Sequence, residues 1–255
     1  EYAPLILSME NVEDADWENN WKQFYKPMEI GERLLVVPEW EQAQEDGRVK
    51  LVLNPGLTFG TGRHATTRLC LQALEQHIHG GEKVLDLGCG TGLELAEIFK
   101  RFPKIFVTGV DMTKEMLNAL KEKFNDKSLT LIHGDYFTCD FGGIYDCAVS
   151  FQTMHHFKKQ DKLALYKKIN EALTPDGTYI ECDYMVESQK EEDFYFSEYG
   201  RIAKEQFLSN NTYYHYDTPC TIENQIGLLK SAGFASVQEV WRRENTTMLV
   251  AKKQS

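Results

Sequence analysis

The sequence predicts an α/β protein: a seven-stranded, mostly parallel sheet with an antiparallel last strand, helices on both faces and a small N-terminal cap of β-hairpin and helix. Three observations predict it. From residue 82 onward, short apolar runs alternate with helix-period segments, the pattern of a parallel sheet covered on both faces. The first of these runs ends in a glycine-rich turn, 88–92 (GCGTG), that leads directly into a helical pattern. The last two runs follow one another with only a polar link, which fits a terminal antiparallel hairpin.

The elements follow in order. Trp17, Trp21, Phe24 and Tyr25 fall at helical spacing and predict a short amphipathic helix. The runs 33–37 (RLLVV) and 49–53 (VKLVL) flank a polar stretch containing Asp46-Gly47, the signature of a hairpin connection. Residues 65–78 repeat apolar positions at i and i+3 or i+4 and predict a helix. Strands are expected at 83–87, 105–110, 129–133, 145–150, 178–182, 236–241 and 246–251, with helices at 92–101, 113–124, 160–173 and 221–232. This divides the chain into a cap segment, 1–64, and a main domain, 65–255, with an insertion at 186–217 rich in charge and aromatics. The rings of that insertion (Phe194, Tyr195, Phe196, Tyr199, Tyr213, Tyr214 and Tyr216) suit either a water-excluding lid or ordinary packing.

Composition narrows the partners. The 255 residues carry 28 basic and 39 acidic side chains, a net charge of −11, without any conspicuous basic cluster. Nucleic-acid binders draw most of their affinity from phosphate contacts, so no nucleic-acid partner is expected. No apolar run approaches the roughly 18 residues a membrane helix needs, and no basic segment followed by an apolar core opens the chain. Neither a membrane partner nor a secretory leader is expected. Cys70, Cys89, Cys139, Cys147, Cys182 and Cys220 show no zinc spacing, and His77-x-His79 has no further ligands nearby, so no metal site is expected. Unpaired thiols in apolar runs point to a reducing, cytoplasmic setting.

Residues 84–92 (VLDLGCGTG) carry the strongest chemical signal. A buried strand enters a turn where Gly88, Gly90 and Gly92 let the backbone approach a ligand. Asp86, two residues ahead of the first glycine, suits a ligand bearing an ammonium group and would repel a pyrophosphate. The dinucleotide fingerprint needs a small residue three positions after its second glycine, where this chain has Leu93. The second strand ends at Asp111, placed to accept ribose hydroxyls or, alternatively, to cap the next helix; the third ends at Gly134-Asp135-Tyr136. Three acids at the ends of three successive strands form a constellation, because ligands of doubly wound sheets sit at that edge.

With these residues the chain resembles the class I S-adenosylmethionine-dependent methyltransferases, and their Rossmann-like fold, over residues 82–255. The resemblance implies S-adenosylmethionine as donor and S-adenosylhomocysteine as product. It implies that Gly88 and Gly90 line the donor and Asp86 faces its methionine end, that Asp111 holds the ribose with Met112 against the adenine, and that Asp135 binds the adenine amino group beside Tyr136. Cys89, Met116, Gly134, Ser150, Phe151 and Gln152 join the donor site, Gln152 toward the methionine end.

A second resemblance lies at the N-terminal side. Residues 21–27 (WKQFYKP), 31–40 (GERLLVVPEW) and 54–67 (NPGLTFGTGRHATT) are similar to the bacterial methyltransferase family that modifies lysines and the N-terminus of a large-subunit ribosomal protein. It implies that Phe59, Gly60, Thr61, His64 and Thr66 lie over the donor, while Thr66 and Thr67 can cap the following helix. On the sequence this likeness covers residues 10–92. Beyond it, 150–157 (SFQTMHHF), 181–184 (ECDY) and 218–226 (TPCTIENQI) resemble stand-alone methyltransferases acting on small molecules. A mosaic joined at the glycine turn, natural or engineered, accounts for both.

Methyl transfer is an in-line displacement in which alignment supplies much of the rate, and a base is needed only for a protonated acceptor. His155, His156 and Asp183 are the candidate catalytic residues at the acceptor side, with packing and hydrogen bonding as the competing role for the histidines. The expected function is methyl transfer to a small molecule. The alternatives are a protein acceptor, namely a ribosomal-protein lysine, and a donor-binding mosaic without efficient turnover.

Overall fold

In a computed structural model of the chain, the described residues are 27–30, 34–38, 41, 49–53, 81–92, 95–96, 98–99, 102–205 and 216–254. The helices expected near Trp17 and over 65–78, and the rings of Tyr213 and Tyr214, lie outside them. The chain divides into two compact units, Glu1–Thr61 and Gly62–Ser255.

The first unit contains β1 (Met28–Ile30), β2 (Leu34–Pro38) and β3 (Val49–Leu53). The hairpin is not the one expected. β2 and β3 pair in parallel, Leu34 opposite Val49, whereas the antiparallel partner of β2 is β1, with Met28 opposite Val36. Only three residues separate β1 from β2, whereas ten separate β2 from β3, and short links favour antiparallel neighbours while parallel ones need longer connections.

The second unit is built on seven strands: β4 (Lys83–Leu87), β5 (Phe106–Asp111), β6 (Leu129–His133), β7 (Tyr145–Phe151), β8 (Leu173–Tyr184), β9 (Phe234–Arg243) and β10 (Thr246–Lys253). They lie in the order β6-β5-β4-β7-β8-β10-β9. The pairs β4–β5, β5–β6, β4–β7 and β7–β8 are parallel, and β10 runs antiparallel to both β8 and β9. The antiparallel last strand expected from the sequence is present, inserted between its two neighbours. Strand addition reverses at β4, outward to β5 and β6 and then to β7 on the other side; that switch point opens a crevice at the carboxyl ends of the strands.

Both faces of the sheet are covered. Val84, Val107 and Val149 pack with Leu95, Ile98 and Phe99 and with Leu117 and Leu120 of α1 (Lys114–Lys123). Leu85, Leu87, Val110 and Ala148 pack on the opposite face with Tyr166 and Ile169 of α2 (Lys159–Ala172) and with Leu229, which lies in the C-terminal helix Ile222–Ser231. Burial on both faces explains why these strands read as unbroken apolar runs. The insertion holds a helix that the sequence reading did not separate, α3 (Gln189–Glu205); the C-terminal helix is therefore α4. The charged composition of α3 masked its periodicity, and Arg201 bridges Glu198 and Glu205 along its exposed side. Thr221 caps α4 by accepting from the Asn224 N–H at 3.3 Å. No helix among the described residues is long and apolar enough to cross a membrane.

Gly92 ends the glycine turn with φ +66, and a Cβ there would stand 2.2 Å from Leu120 Cδ1. Gly92→Ala is therefore expected to cost about 1–3 kcal/mol through backbone strain and overpacking. A urea titration reads this as a lower midpoint at unchanged slope.

Candidate functional site

The glycines of the turn divide the work. Gly88 (φ +77) abuts Thr153, whose Oγ1 would lie 2.4 Å from an added Cβ, so this glycine, like Gly92, answers to packing. Gly90 (φ +49) faces open space, with Met116 Sδ the nearest atom at 3.8 Å, and is the position where a ligand can approach the backbone. Asp86 is buried at the end of β4. The Cys89 side chain turns into the core against Gly109, so only its backbone faces the turn, contrary to a side-chain role at the donor.

Asp111, at the end of β5, braces the turn. Its Oδ2 accepts from the Gly90 N–H at 2.9 Å, and its Oδ1 accepts from the Thr113 N–H at 2.8 Å. Each carboxylate oxygen keeps a second lone pair, which leaves capacity for two hydroxyls. Thr113 occupies the N-cap position of α1 without a side-chain cap, so Asp111 accepts near the helix start as well as bracing the turn. Met112 and Met116, each 44% exposed, present apolar surface beside it.

At the end of β6 the outcome is mixed. The Gly134 N–H donates to the Asp111 carbonyl at 3.1 Å, tying the two strand ends together. Asp135 Oδ1 accepts from the Phe137 N–H at 2.9 Å and caps its own turn. Tyr136 does not line the crevice: its ring lies in the core, edge-on to Phe157 at 6.0 Å, because the turn directs it beneath α2. Phe137, one residue on and 37% exposed, is the aromatic that reaches the surface there.

The end of β7 adds a strained residue. Ser150 and Phe151 are buried; Ser150 Oγ hydrogen-bonds Tyr179 Oη at 2.6 Å, away from the crevice, and Phe151 joins the core. Both side chains are thus placed for packing and not for the donor, since a strand covered on two faces has no free side. Gln152 has φ +51, rare for a residue with a side chain, and its buried amide nitrogen has no hydrogen-bond partner among the described residues. A strained backbone and an orphaned buried donor are features that ligand-binding positions often show. The open Gly90, the spare lone pairs of Asp111 and the Gln152 donor fit an adenosyl ligand with a polar methionine end.

Beyond Gln152 comes a 3₁₀ turn, Met154–His156. Asp183, buried near the end of β8, accepts from the Met154 N–H at 2.5 Å, the His155 N–H at 3.2 Å, the Tyr184 N–H at 2.7 Å and the His155 Nδ1–H. Burial disfavours the His155 cation, but the Asp183 carboxylate and its hydrogen bond outweigh that and raise the imidazole above its usual value. Burial likewise pushes Asp183 up, and the His155 charge and hydrogen bond outweigh it, holding the carboxyl below its usual value. Engaging Nδ1 leaves the lone pair of the neutral ring on Nε2. His156 Nδ1 lies 3.2 Å from Asp217 Oδ1.

Behind this pair lies a polar network that sequence reasoning missed. Glu181 accepts from Tyr166 Oη (2.7 Å), Tyr179 Oη (3.0 Å) and Gln225 Nε2 (2.6 Å), and burial beside Asp183 pushes its carboxyl up to about 7. Lys162, fully buried, donates to the Thr218 carbonyl at 3.1 Å. A helical charge pattern gave no sign that this lysine faces inward. Asp217 and Thr153 were also missed, since no local spacing links them to the glycine turn or the histidines. In the insertion, Tyr195 Oη and Tyr184 Oη hydrogen-bond at 2.9 Å, joining α3 to the end of β8, while Phe194 is 58% exposed. Burial and the Tyr195 contact push the Tyr184 phenol up to about 12. Phe59, Gly60, Thr61, His64 and Thr66 lie outside the described residues.

Comparison with known proteins gives these features a context. Residues 2–130, half of the chain, match the family described as ribosomal protein L11 methyltransferase (PrmA), and residues 84–177 match a general methyltransferase domain family. The likeness to the L11 methyltransferases thus runs on to residue 130, past Gly92 where the motifs alone end it. The L11 methyltransferase of Ralstonia pickettii is 45% identical over 118 residues, 46% of this chain and 39% of that protein. That of Clostridium perfringens is 37% identical over 133 residues, 51% of this chain and 42% of that protein. The chain therefore spans about two-fifths of the length of these relatives. The L11 methylase of Lactobacillus delbrueckii subsp. bulgaricus superposes with a TM-score of 0.59 at 20% identity, covering 91% of this chain and all of that one, a likeness of fold.

The opposed shifts of His155 and Asp183 set a pH window. His155, raised above 6.5, contributes stability that is complete below 6.5 and is lost as pH rises through its folded value. Asp183, lowered below 3.8, contributes stability present above 3.8 and lost as pH falls through its folded value. The pair holds the fold most firmly between these values. Asp183→Asn is expected to cost about 1–3 kcal/mol in a urea titration, because it weakens the charge-assisted hydrogen bonds that the buried carboxylate accepts from three backbone N–H groups and the His155 ring. NMR titration of the His155 ring should show its pKa falling in that variant.

Proposed function

Because the chain belongs to the ribosomal protein L11 methyltransferase family over residues 2–130, we propose that it transfers a methyl group from S-adenosylmethionine to a nitrogen of a protein acceptor. The observation that carries methyl transfer is that the open Gly90 backbone, the Asp111 carboxylate bonded to it and the orphaned Gln152 amide all follow the carboxyl ends of the neighbouring strands β4, β5 and β7. The acceptor class rests on the family match. Bound there, the donor supplies an electrophilic methyl group, which passes to the acceptor's lone pair as the carbon–sulfur bond breaks and S-adenosylhomocysteine leaves.

The residues then take these roles. Asp86, Gly88 and Gly90 line the methionine end, Gln152 donates to it, and Asp111 accepts from the ribose. Met112 and Met116 lie along the adenine, with Gly134 and Asp135 at its far edge. A protonated amine has no lone pair to attack with. Neutral His155 removes that proton at Nε2 while Asp183 holds the ring and balances the imidazolium that forms, a role worth typically 10²–10⁴-fold in rate. Tyr184 keeps its proton and can donate to the acceptor.

A second reading, a small-molecule acceptor, is favoured by one observation. His155, His156, Asp183, Tyr184 and Asp217 all follow residue 130, outside the L11 match, and only the two histidines fall within the general methyltransferase match that ends at 177. The mosaic reading has related support, since the two matches overlap over 84–130.

Labelled donor offered with ribosomal protein L11 and with a metabolite pool decides between acceptors. Label on the protein is expected; label on metabolites favours the second reading, and donor binding without turnover leaves only a binding mosaic. Asp111→Ala is expected to weaken donor binding by about 2 kcal/mol, roughly thirtyfold, in calorimetry. His155→Gln should lower kcat by about 10²–10⁴-fold at similar donor affinity. In the unsubstituted enzyme kcat should rise with pH through the His155 pKa, which lies above 6.5.

A further inference from the structure

Around the 3₁₀ turn, the second ring nitrogen of His155 converges with two groups that methyl transfer does not require. His155 Nε2 lies 3.7 Å from Asp217 Oδ1, His156 Nδ1 lies 3.2 Å from the same oxygen, and the three atoms lie within 4.8 Å of one another. Adjacent residues on a strand or helix point apart; the tight 3₁₀ turn instead brings the two imidazole centroids within 3.9 Å. Asp217 is 61 residues from His156, and its neighbour Thr218 ties the two segments together through its backbone and its hydroxyl. The Thr218 N–H donates to the His155 carbonyl at 2.6 Å, and Thr218 Oγ1 donates to the Phe157 carbonyl at 2.9 Å. The two segments that carry the three groups are therefore fixed to each other.

We propose that His155, His156 and Asp217 form a binding site for a divalent transition-metal ion of the zinc class. Two imidazole nitrogens and one carboxylate oxygen are the donor set that such ions prefer, whereas magnesium and calcium favour oxygen alone. Bonds of about 2.1 Å at tetrahedral angles place ligand atoms roughly 3.4 Å apart, the scale of the two separations to Asp217. Asp183 completes the arrangement: by accepting from His155 Nδ1–H it fixes the ring and its tautomer, the carboxylate–histidine–metal relation found behind metal-ligating histidines. Three protein ligands leave a coordination position for water or an acceptor atom. An ion there takes up the Nε2 lone pair, so a loaded chain loses His155 as a base; that consequence alone rests on the base role proposed above.

A simple His156–Asp217 hydrogen bond would explain one contact without any ion, and metal titration separates the two cases. The full chain, stripped with chelator and dialysed, is titrated with Zn²⁺ in a calorimeter and with Co²⁺ while its visible d–d absorption is followed. Saturable binding of about one ion per chain, with a tetrahedral nitrogen–oxygen Co²⁺ spectrum, is expected. His156→Ala and Asp217→Ala, both on partly exposed side chains, should each weaken it at least tenfold. Asp183→Asn, which keeps all three ligands, should weaken it by about 10–100-fold. The proposal is overturned by the absence of saturable binding, by unchanged affinity in Asp217→Ala, or by thiolate charge-transfer bands that place the ion on cysteine. Thermal melts of each variant show whether it folds, and donor binding measured in parallel keeps a failure of the methyl-transfer reading separate.

Discussion

The edge of the large sheet at the ends of β7 and β8 depends on the carboxylate of Asp183. It gathers three backbone N–H groups and one imidazole N–H from two places in the chain, the turn after β7 and the end of β8. A carboxylate accepting several hydrogen bonds in a dry setting is strongly held, because charge-assisted bonds are about twice as strong as neutral ones. The same contacts that brace the 3₁₀ turn orient His155, so local structure and chemistry cannot be separated there. Asp111 does the equivalent work at the ends of β4 and β5 by joining the Gly90 turn to the start of α1.

The two braces divide the site in a way that matches the relatives. Asp86 to Met116 lie inside the stretch shared with the L11 methyltransferases, whereas Gly134, Asp135, Gln152 and the residues around Asp183 lie beyond it. A cofactor-binding rim tolerates such a division because its contacts come from one sheet edge, while acceptor groups project from later turns and insertions. Buried Lys162, Glu181, Tyr166, Tyr179 and Gln225 underpin the acceptor side. A network of this kind rigidifies what it supports when its members are satisfied.

Much of the fold was legible in the residue order. Apolar runs at 83–87 and 145–150 suggested strands, and the two closing runs fitted a hairpin; both appear, as β4, β7 and the β9–β10 pair. The parallel pairing of β2 with β3 was not legible, because strand partners depend on how a link travels and not on the strands' own composition. α3 escaped notice because its charges hide the periodicity that marked α1 and α2. At the candidate site, the glycine turn and the acid after the second strand stood out in the sequence, and the structure joins them by a hydrogen bond, whereas exposed Phe137 could not be distinguished from buried Tyr136, since adjacent residues differ only in which way the backbone aims them.

By itself the sequence determined the sheet, which follows from periodicity, and the methyltransferase class, which follows from the motifs around the glycine turn. Tertiary structure alone decided which glycine faces open space, which aromatic is exposed and which distant groups meet the two histidines. Those outcomes depend on contacts across many residues, such as Thr153 beneath Gly88 and Asp217 opposite His156, and a linear pattern carries no distance between them.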